Sequence, residues 1–288
     1  MNCYDLGGHS GCKILLMEDD DGFTFVRKLS KDKEYNDRLK KQCEKQVSFN
    51  GGKIKTPMVY NSGLSEEGLF YFDMEYVQGM TLAEYVKTME IGKVRGLVEI
   101  LVDNLIPKDN GAISLEQKVN VTEIFEKKIS NLREILASHK NSIIEQSLNL
   151  LEKHDWTGMI SSQCHGDLTL ENIIIKNDNL YFIDFLDSFY DSWLMDMGTL
   201  LQDVQAMWSY RNTSNVGMNT VLRLIVFRDL LLDETKKINS GYILEIYYAL
   251  LQKMIRIYPY TKGEETYKFL NEKIAIILKT INKLEREN

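Results

Sequence analysis

The sequence predicts an α+β chain, with a small β-rich N-terminal lobe followed by a larger helical C-terminal lobe. Near the start, "KILLME" and "FTFVRKL" are rich in β-formers and flank "DDDG", a hairpin turn signal. From Thr81 onward, apolar residues recur mostly at helical spacing. Inside that helical part, "CHGDLTLENIIIKNDNLYFIDFLD" (Cys164 to Asp187) returns to short apolar runs of strand character.

The N-terminal lobe reads as strand, strand, helix, strand, strand. Residues from about Lys33 to Phe49 have helical periodicity, with Tyr35, Leu39, Cys43 and Val47 on one face. "GGK" ends that helix. "MVYNSG" and "LFYFDMEYV" supply two more strands, and the lobe closes near Val77, giving a division into 1–78 and 79–288. "TLAE", with Thr81 as cap and Glu84 reaching back, is a capping box, and "SLEQ" at Ser114 is another. Long helices follow to about Asp155. Beyond Asp191, helical segments cover Trp193 to Tyr210, Val216 to Leu232, Tyr242 to Ile257 and Glu264 to Leu284.

Composition excludes several classes. The 288 residues suffice for one large domain or two modest lobes. Net charge is −7 and there is no basic stripe, so no nucleic-acid partner is expected. An acidic surface weakly favours a cationic substrate, although solubility alone explains it. Cys3, Cys12, Cys43 and Cys164 show no CxxC spacing, which argues against a zinc site or a disulfide framework and fits reduced thiols. No signal segment opens the sequence, and no run approaches the roughly 18 apolar residues of a membrane span. A cytoplasmic protein without a membrane partner is the expectation. Nothing in the sequence speaks to oligomeric state.

The acids of the Cys164–Asp187 stretch need a reason, because burying them is costly without a partner, a metal or a reaction. Asp167 and Asn172 are separated by four residues, and Asp184 lies twelve beyond Asn172 on the second arm of a hairpin. This set suits metal–phosphate chemistry. Magnesium takes oxygen ligands, often one or two from protein and the rest from phosphates and water. Asn172 and Asp184 are the expected ligands, and Asp167 is left to orient an attacking hydroxyl and take its proton.

"HGDLTLEN" resembles the catalytic loop of the aminoglycoside phosphotransferase and choline kinase family, small-molecule kinases with a bilobal protein-kinase-like fold. Gly166 and Thr169 stand where protein kinases have Arg and usually Lys, which points to the small-molecule branch. "FIDFLD" resembles the metal-binding segment, and "DSWLMDMGTL" the segment after it, where Asp196 would brace the loop. His165 is expected to hold the loop through backbone hydrogen bonds and not to act as a base.

The same resemblance assigns a nucleotide clamp. In "LGGHSGCKIL", Gly8, Ser10 and Gly11 would cover phosphates. Strand alternation puts Val26 and Lys28 on one face. Val26 would lie above the adenine and Lys28 on the α- and β-phosphates. Glu44, or else Glu34, would pair with Lys28. In "YFDMEYVQGMTL", Met74 would back the pocket, and the carbonyl of Glu75 and the N–H of Val77 would meet the adenine edge. Gly79 would turn the chain into the second lobe.

The resemblance therefore implies transfer of the ATP γ-phosphoryl group, with Mg2+, to a hydroxyl of a small molecule. Amino alcohols, sugars, aminoglycosides and amino acid hydroxyls are the acceptor classes. Trp193 and Trp208, with Asp191 and Asp203 nearby, are the expected acceptor contacts, ahead of Tyr210, Tyr247 and Tyr248. A non-catalytic pseudokinase or scaffold of the same fold is the alternative. The joint presence of Lys28, Asp167, Asn172 and Asp184 argues against it. A protein kinase is disfavoured by the missing loop lysine and the missing "APE"-like segment.

Overall fold

A computed structural model describes residues 2–7, 11–107, 115–139, 141–213 and 215–287. The chain forms two compact units. One comprises Met1–Leu82 with His165–Asp167 and Glu171–Asp187, and the other Ala83–Cys164 with Leu168–Leu170 and Ser188–Asn288. These units are drawn differently from the linear lobes 1–78 and 79–288, because most of the HGD-to-FLD stretch groups with the N-terminal strands.

The first unit holds a five-stranded antiparallel sheet. Its strands are β1 (Asn2–Asp5), β2 (Lys13–Glu18), β3 (Thr24–Leu29), β4 (Val59–Leu64) and β5 (Phe70–Glu75), in the order β1-β2-β3-β5-β4. The β2–β3 turn is the "DDDG" hairpin: Asp19 Oδ1 accepts from Asp21 N (3.1 Å) and Phe23 N (2.8 Å). Lys28 pairs with Ile14 on one side and Phe72 on the other, and Val26 with Leu16 and Met74. Period-2 alternation sends Val26 and Lys28 to one face and Arg27 to the other. There Arg27 makes a bidentate pair with Asp73 (2.7 and 2.8 Å) and stacks 4.2 Å over Tyr71.

Helix α1 (Asn36–Ser48) packs on the Val26 face, burying Leu39 and Cys43 against Cys12, Val26, Phe72 and Met74. The predicted apolar face of this helix is corrected in part. Val47 is 64% exposed, whereas Gln42 and Gln46 are buried. Each amide is buried because it has a partner: Gln46 Nε2 donates to Pro57 O at 2.9 Å, and Gln42 bonds Lys28 at 3.0 Å.

The HGD-to-FLD stretch forms a second antiparallel sheet with β6 (Met80–Thr81), β7 (Ile173–Lys176) and β8 (Asn179–Phe182), in that order. Asn177 and Asp178, both at positive φ, make the two-residue turn between β7 and β8. Lys55 donates to Leu180 O and accepts from Phe182 N, both at 2.8 Å, tying the segment after α1 to β8. Gly79 lies hard against this hairpin. A Cβ there would meet Ile174 Cγ2 at 2.6 Å and collide with the Ile175 carbonyl oxygen.

The second unit is helical, with α2 (Leu82–Thr88, entering the unit at Ala83), α3 (Lys93–Leu105), α4 (Leu115–Leu136), α5 (Ser142–Lys153), α6 (Trp193–Val204), α7 (Met218–Ile238), α8 (Tyr242–Ile255) and α9 (Glu264–Glu287). The helical segments read after Asp191 correspond to α6 through α9. The predicted cap at Ser114 lies outside the described residues. Every residue of α6 is buried, as expected of a helix apolar on most sides. Gly198 lets α6 approach α8, since a Cβ there would sit 2.9 Å from both Ala249 Cβ and Leu250 N. Among the described residues, no helix is long and apolar enough to cross a membrane.

Because the atoms facing Gly79 include hairpin backbone, Gly79→Ala should lower stability by roughly 1–3 kcal/mol, the usual penalty of overpacking. Urea unfolding of both chains, followed by circular dichroism, measures this.

Candidate active site

The loop at His165 is built on backbone bonds. His165 is fully buried, donates from Nε2 to Ile183 O (2.7 Å) and accepts at Nδ1 from Asp167 N (3.2 Å). Both ring nitrogens are thereby committed, which fixes the neutral Nε2–H tautomer. Burial pushes its pKa down to about 4, against the opposing effects of the Ile183 carbonyl and the Asp167 and Asp184 charges. A neutral imidazole thus clamps the residue before Asp184 to the backbone of Asp167. Asn172 adds to the clamp: its Nδ2 donates to Asp167 O (2.8 Å), and its carbonyl accepts from Ile183 N (3.0 Å).

Lys28 is 2% exposed, and its ammonium donates to the Asp184 carboxylate and to Gln42 Oε1 (3.0 Å). Asp184 sits at φ 60°, a left-handed conformation that a β-carbon disfavours. Strain of this kind persists where the surroundings impose it, and it concentrates at functional sites. The Glu partner expected for Lys28 is corrected here. Glu44 and Glu34 are both exposed, and Gln42 holds the position. The helical rotation that buries Leu39 and Cys43 also turns Gln42 inward, and the same rotation leaves Glu44 in solvent. Gln42 Nε2 donates to Tyr35 Oη at 3.1 Å. Two residues on from Cys43, Lys45 Nζ donates to Leu186 O at 3.0 Å, linking α1 to the segment after Asp184.

The clamp residues fall as follows. Gly7 and Gly11, in the β1–β2 connection, have φ of 71° and 77°, which glycine alone adopts without strain. Gly8 and Ser10 lie outside the described residues. Val26 and Met74 are neighbours across β3 and β5, both buried, and Gln46 Nε2 approaches Met74 Sδ at 3.5 Å. Glu75 closes β5 with its carboxylate 3.5 Å from Lys176 Nζ, and Val77 follows with a buried side chain.

In the second unit, Asp203 is fully buried and accepts from Leu170 N (2.7 Å), Ser209 N (2.9 Å) and Ser209 Oγ (2.8 Å). Sequence reasoning took Asp203 for an acceptor-side acid. Its oxygens instead brace the part of the HGD loop that belongs to this unit. The signal was available: an acid on an otherwise apolar helix needs partners. Asp196 is also fully buried, in the first turn of α6. The acceptor assignment is corrected at Trp193, which is 0% exposed and packs edge-on to Tyr242. A ring inside α6 packing has no face to offer a ligand. Trp208 is half-buried, and the Arg211 guanidinium lies 4.0 Å over its ring. Tyr210, Tyr247 and Tyr248 are buried core residues.

Asn172 and Asp184 are both half-buried. The Asn172 carboxamide oxygen, oriented by the bond its nitrogen makes, and the Asp184 carboxylate are hard oxygen donors of the kind magnesium takes. The donor set therefore fits the ion.

No protein-family model and no curated protein matches the sequence. Solved structures do match. A thermostable mutant of aminoglycoside phosphotransferase APH(4)-Ia aligns at TM-score 0.64 and 13% identity, covering 97% of this chain and 94% of that one. A putative fructosamine-3-kinase from Haemophilus somnus aligns at TM-score 0.57 and 14% identity, over 99% and 91%. The GDP and kanamycin complex of APH(2")-IIia aligns at TM-score 0.59 and 16% identity, over 100% and 94%. The chain has the α+β, protein-kinase-like fold of these small-molecule phosphotransferases.

The His165 geometry has a pH consequence. The folded chain disfavours the imidazolium, so the unfolded chain binds the proton first. The stability contributed by neutral His165 is complete above about pH 6.5 and is lost as pH falls toward about 4, roughly 3 kcal/mol in all. Nitrogen-15 NMR should show the Nε2–H tautomer at pH 7 and a midpoint near 4. His165→Asn should flatten the stability slope between these limits. A midpoint near 6.5 would contradict the burial argument.

Proposed function

We propose that the chain is a phosphotransferase that moves the γ-phosphoryl group of ATP, with magnesium, to a hydroxyl group of a small molecule. The observation that carries this reading is the bonding that ties Lys28 of the sheet to Asp184, 156 positions away, and fixes the loop around Asp167. Lys28 meets Asp184, Asn172 meets Asp167, and His165 links Asp167 to the strand end that delivers Asp184. All lie in one compact unit. Structural neighbours bound to AMP-PNP with hygromycin B, or to GDP with kanamycin, support a nucleotide together with a small-molecule acceptor.

In this reading each residue has one task. Lys28 binds the α- and β-phosphates, and Val26 and Met74 line the base. Val77 N–H and the Glu75 carbonyl meet the adenine edge. Gly8, Ser10 and Gly11 cover the phosphates. Asn172 and Asp184 would hold magnesium, which when bound neutralises charge on the phosphate oxygens. Asp167 orients the acceptor hydroxyl and takes its proton as the new oxygen–phosphorus bond forms and ADP departs. A loose transition state asks little of the base beforehand. The acceptor is a hydroxyl-bearing amino alcohol, sugar, aminoglycoside or amino acid.

The test is ADP release with Mg–ATP across a panel of those acceptors. Asp167→Asn should retain nucleotide binding and lower turnover by roughly two to four powers of ten. Asp184→Ala should lose magnesium-dependent nucleotide binding in a thermal-shift titration. Nucleotide binding without turnover of any acceptor would favour a non-catalytic binder, and near-normal turnover in Asp167→Asn would remove Asp167 as the base.

A further inference from the structure

The partner of Lys28 on α1 is an amide, and this changes the charge seen by a phosphate ligand. Lys28 Nζ has only protons to give, so the group facing it must be an acceptor. Gln42, 1% exposed, supplies Oε1 at 3.0 Å. Its other end is fixed as well: Nε2 donates to Tyr35 Oη at 3.1 Å, so the amide orientation is set from both sides. Tyr35 is itself anchored, with its N–H on Asp32 Oδ1 at 2.8 Å. Gln42 thus holds Lys28 in place without neutralising it. The countercharge comes from Asp184, one of the two proposed metal ligands.

We propose that Gln42 is a positioning residue that delivers Lys28 to nucleotide phosphates with its full charge, and that Tyr35 fixes the amide for that purpose. This rests on the phosphotransferase reading above. A carboxylate at the same place would give an equally good acceptor, but would add a negative charge beside the phosphates. The amide keeps the geometry and removes that repulsion. It also leaves Asp184 as the group that must exchange Lys28 for a metal when Mg–nucleotide arrives. Phosphate binding and release of Asp184 are then coupled through one ammonium group.

The experiment compares wild type, Gln42→Glu, Gln42→Leu and Tyr35→Phe, with Mg–ATP turnover and with Mg–AMP-PNP binding by calorimetry at several salt concentrations. Gln42→Glu keeps an acceptor, so turnover at saturation should stay within a few-fold, while the nucleotide KM and the AMP-PNP Kd rise about tenfold, the scale of one added charge near a phosphate site. The salt dependence of binding should become shallower. Gln42→Leu removes the acceptor and should lower kcat, by about 100-fold if Lys28 shifts by an ångström. Tyr35→Phe should move kcat the same way by less. A merely structural Gln42 would give no such split between KM and kcat. If wild type turns over and Gln42→Glu and Gln42→Leu leave both constants unchanged, the inference fails alone. If folded wild type binds no Mg–nucleotide, the phosphotransferase reading fails and takes the inference with it.

Discussion

An ammonium group removed from water organises the first unit. Lys28 is 2% exposed, and an unpaired buried cation carries a desolvation penalty of several kcal/mol. The sheet face around it is apolar, with Val26, Phe72 and Met74 as neighbours, so it offers no countercharge. That charge has to come from outside the sheet. Asp184, 156 positions away along the chain, provides it from the exit of β8, and α1 provides the second acceptor. The hairpin β7–β8, its tie to Lys55 and the left-handed turn at Asp184 all bring a carboxylate to that cation.

The HGD loop is held mainly by hydrogen bonds to its backbone. His165 is kept neutral by burial and has both nitrogens on backbone atoms. Asn172 gives its amide nitrogen to the loop, while Asp203 takes the Leu170 N–H. Asp167 itself is half-buried. His165 and Asn172, both neutral, fix the backbone of Asp167 through hydrogen bonds without adding charge beside its carboxylate.

Much of this was written locally in the sequence. The β2–β3 hairpin was legible because its turn chemistry and strand alternation agree, and the HGD-to-FLD stretch because its polar residues interrupt strongly apolar runs. Helix α6 was legible from its apolar pattern. Gln42 was not, because a glutamine on an amphipathic helix looks like part of the solvated face until its partner is known. Glu44 has the charge expected of a lysine partner, but the helix turns it into solvent. Val47 misled for the opposite reason: it continues the apolar stripe but lies near the end of α1, where no neighbour covers it. Trp193 was placed in a binding role by its position after the metal segment, whereas burial all round α6 depends on α8, with which it has no local sequence relation.

The first unit is discontinuous along the chain: its sheet comes from the first 82 residues, and its ionic partner from residues near 184. A ribosome makes the strands first and the countercharge much later. Until Asp184 emerges, Lys28 has only a neutral partner, and the nascent sheet face around it stays incompletely satisfied. The contact that closes the unit is among its most distant in sequence, so its loop-closure entropy is large and its formation comes late. The order of synthesis therefore leaves the first unit unfinished until the HGD loop has been translated. Helices α2 to α5 all leave the ribosome in the interval.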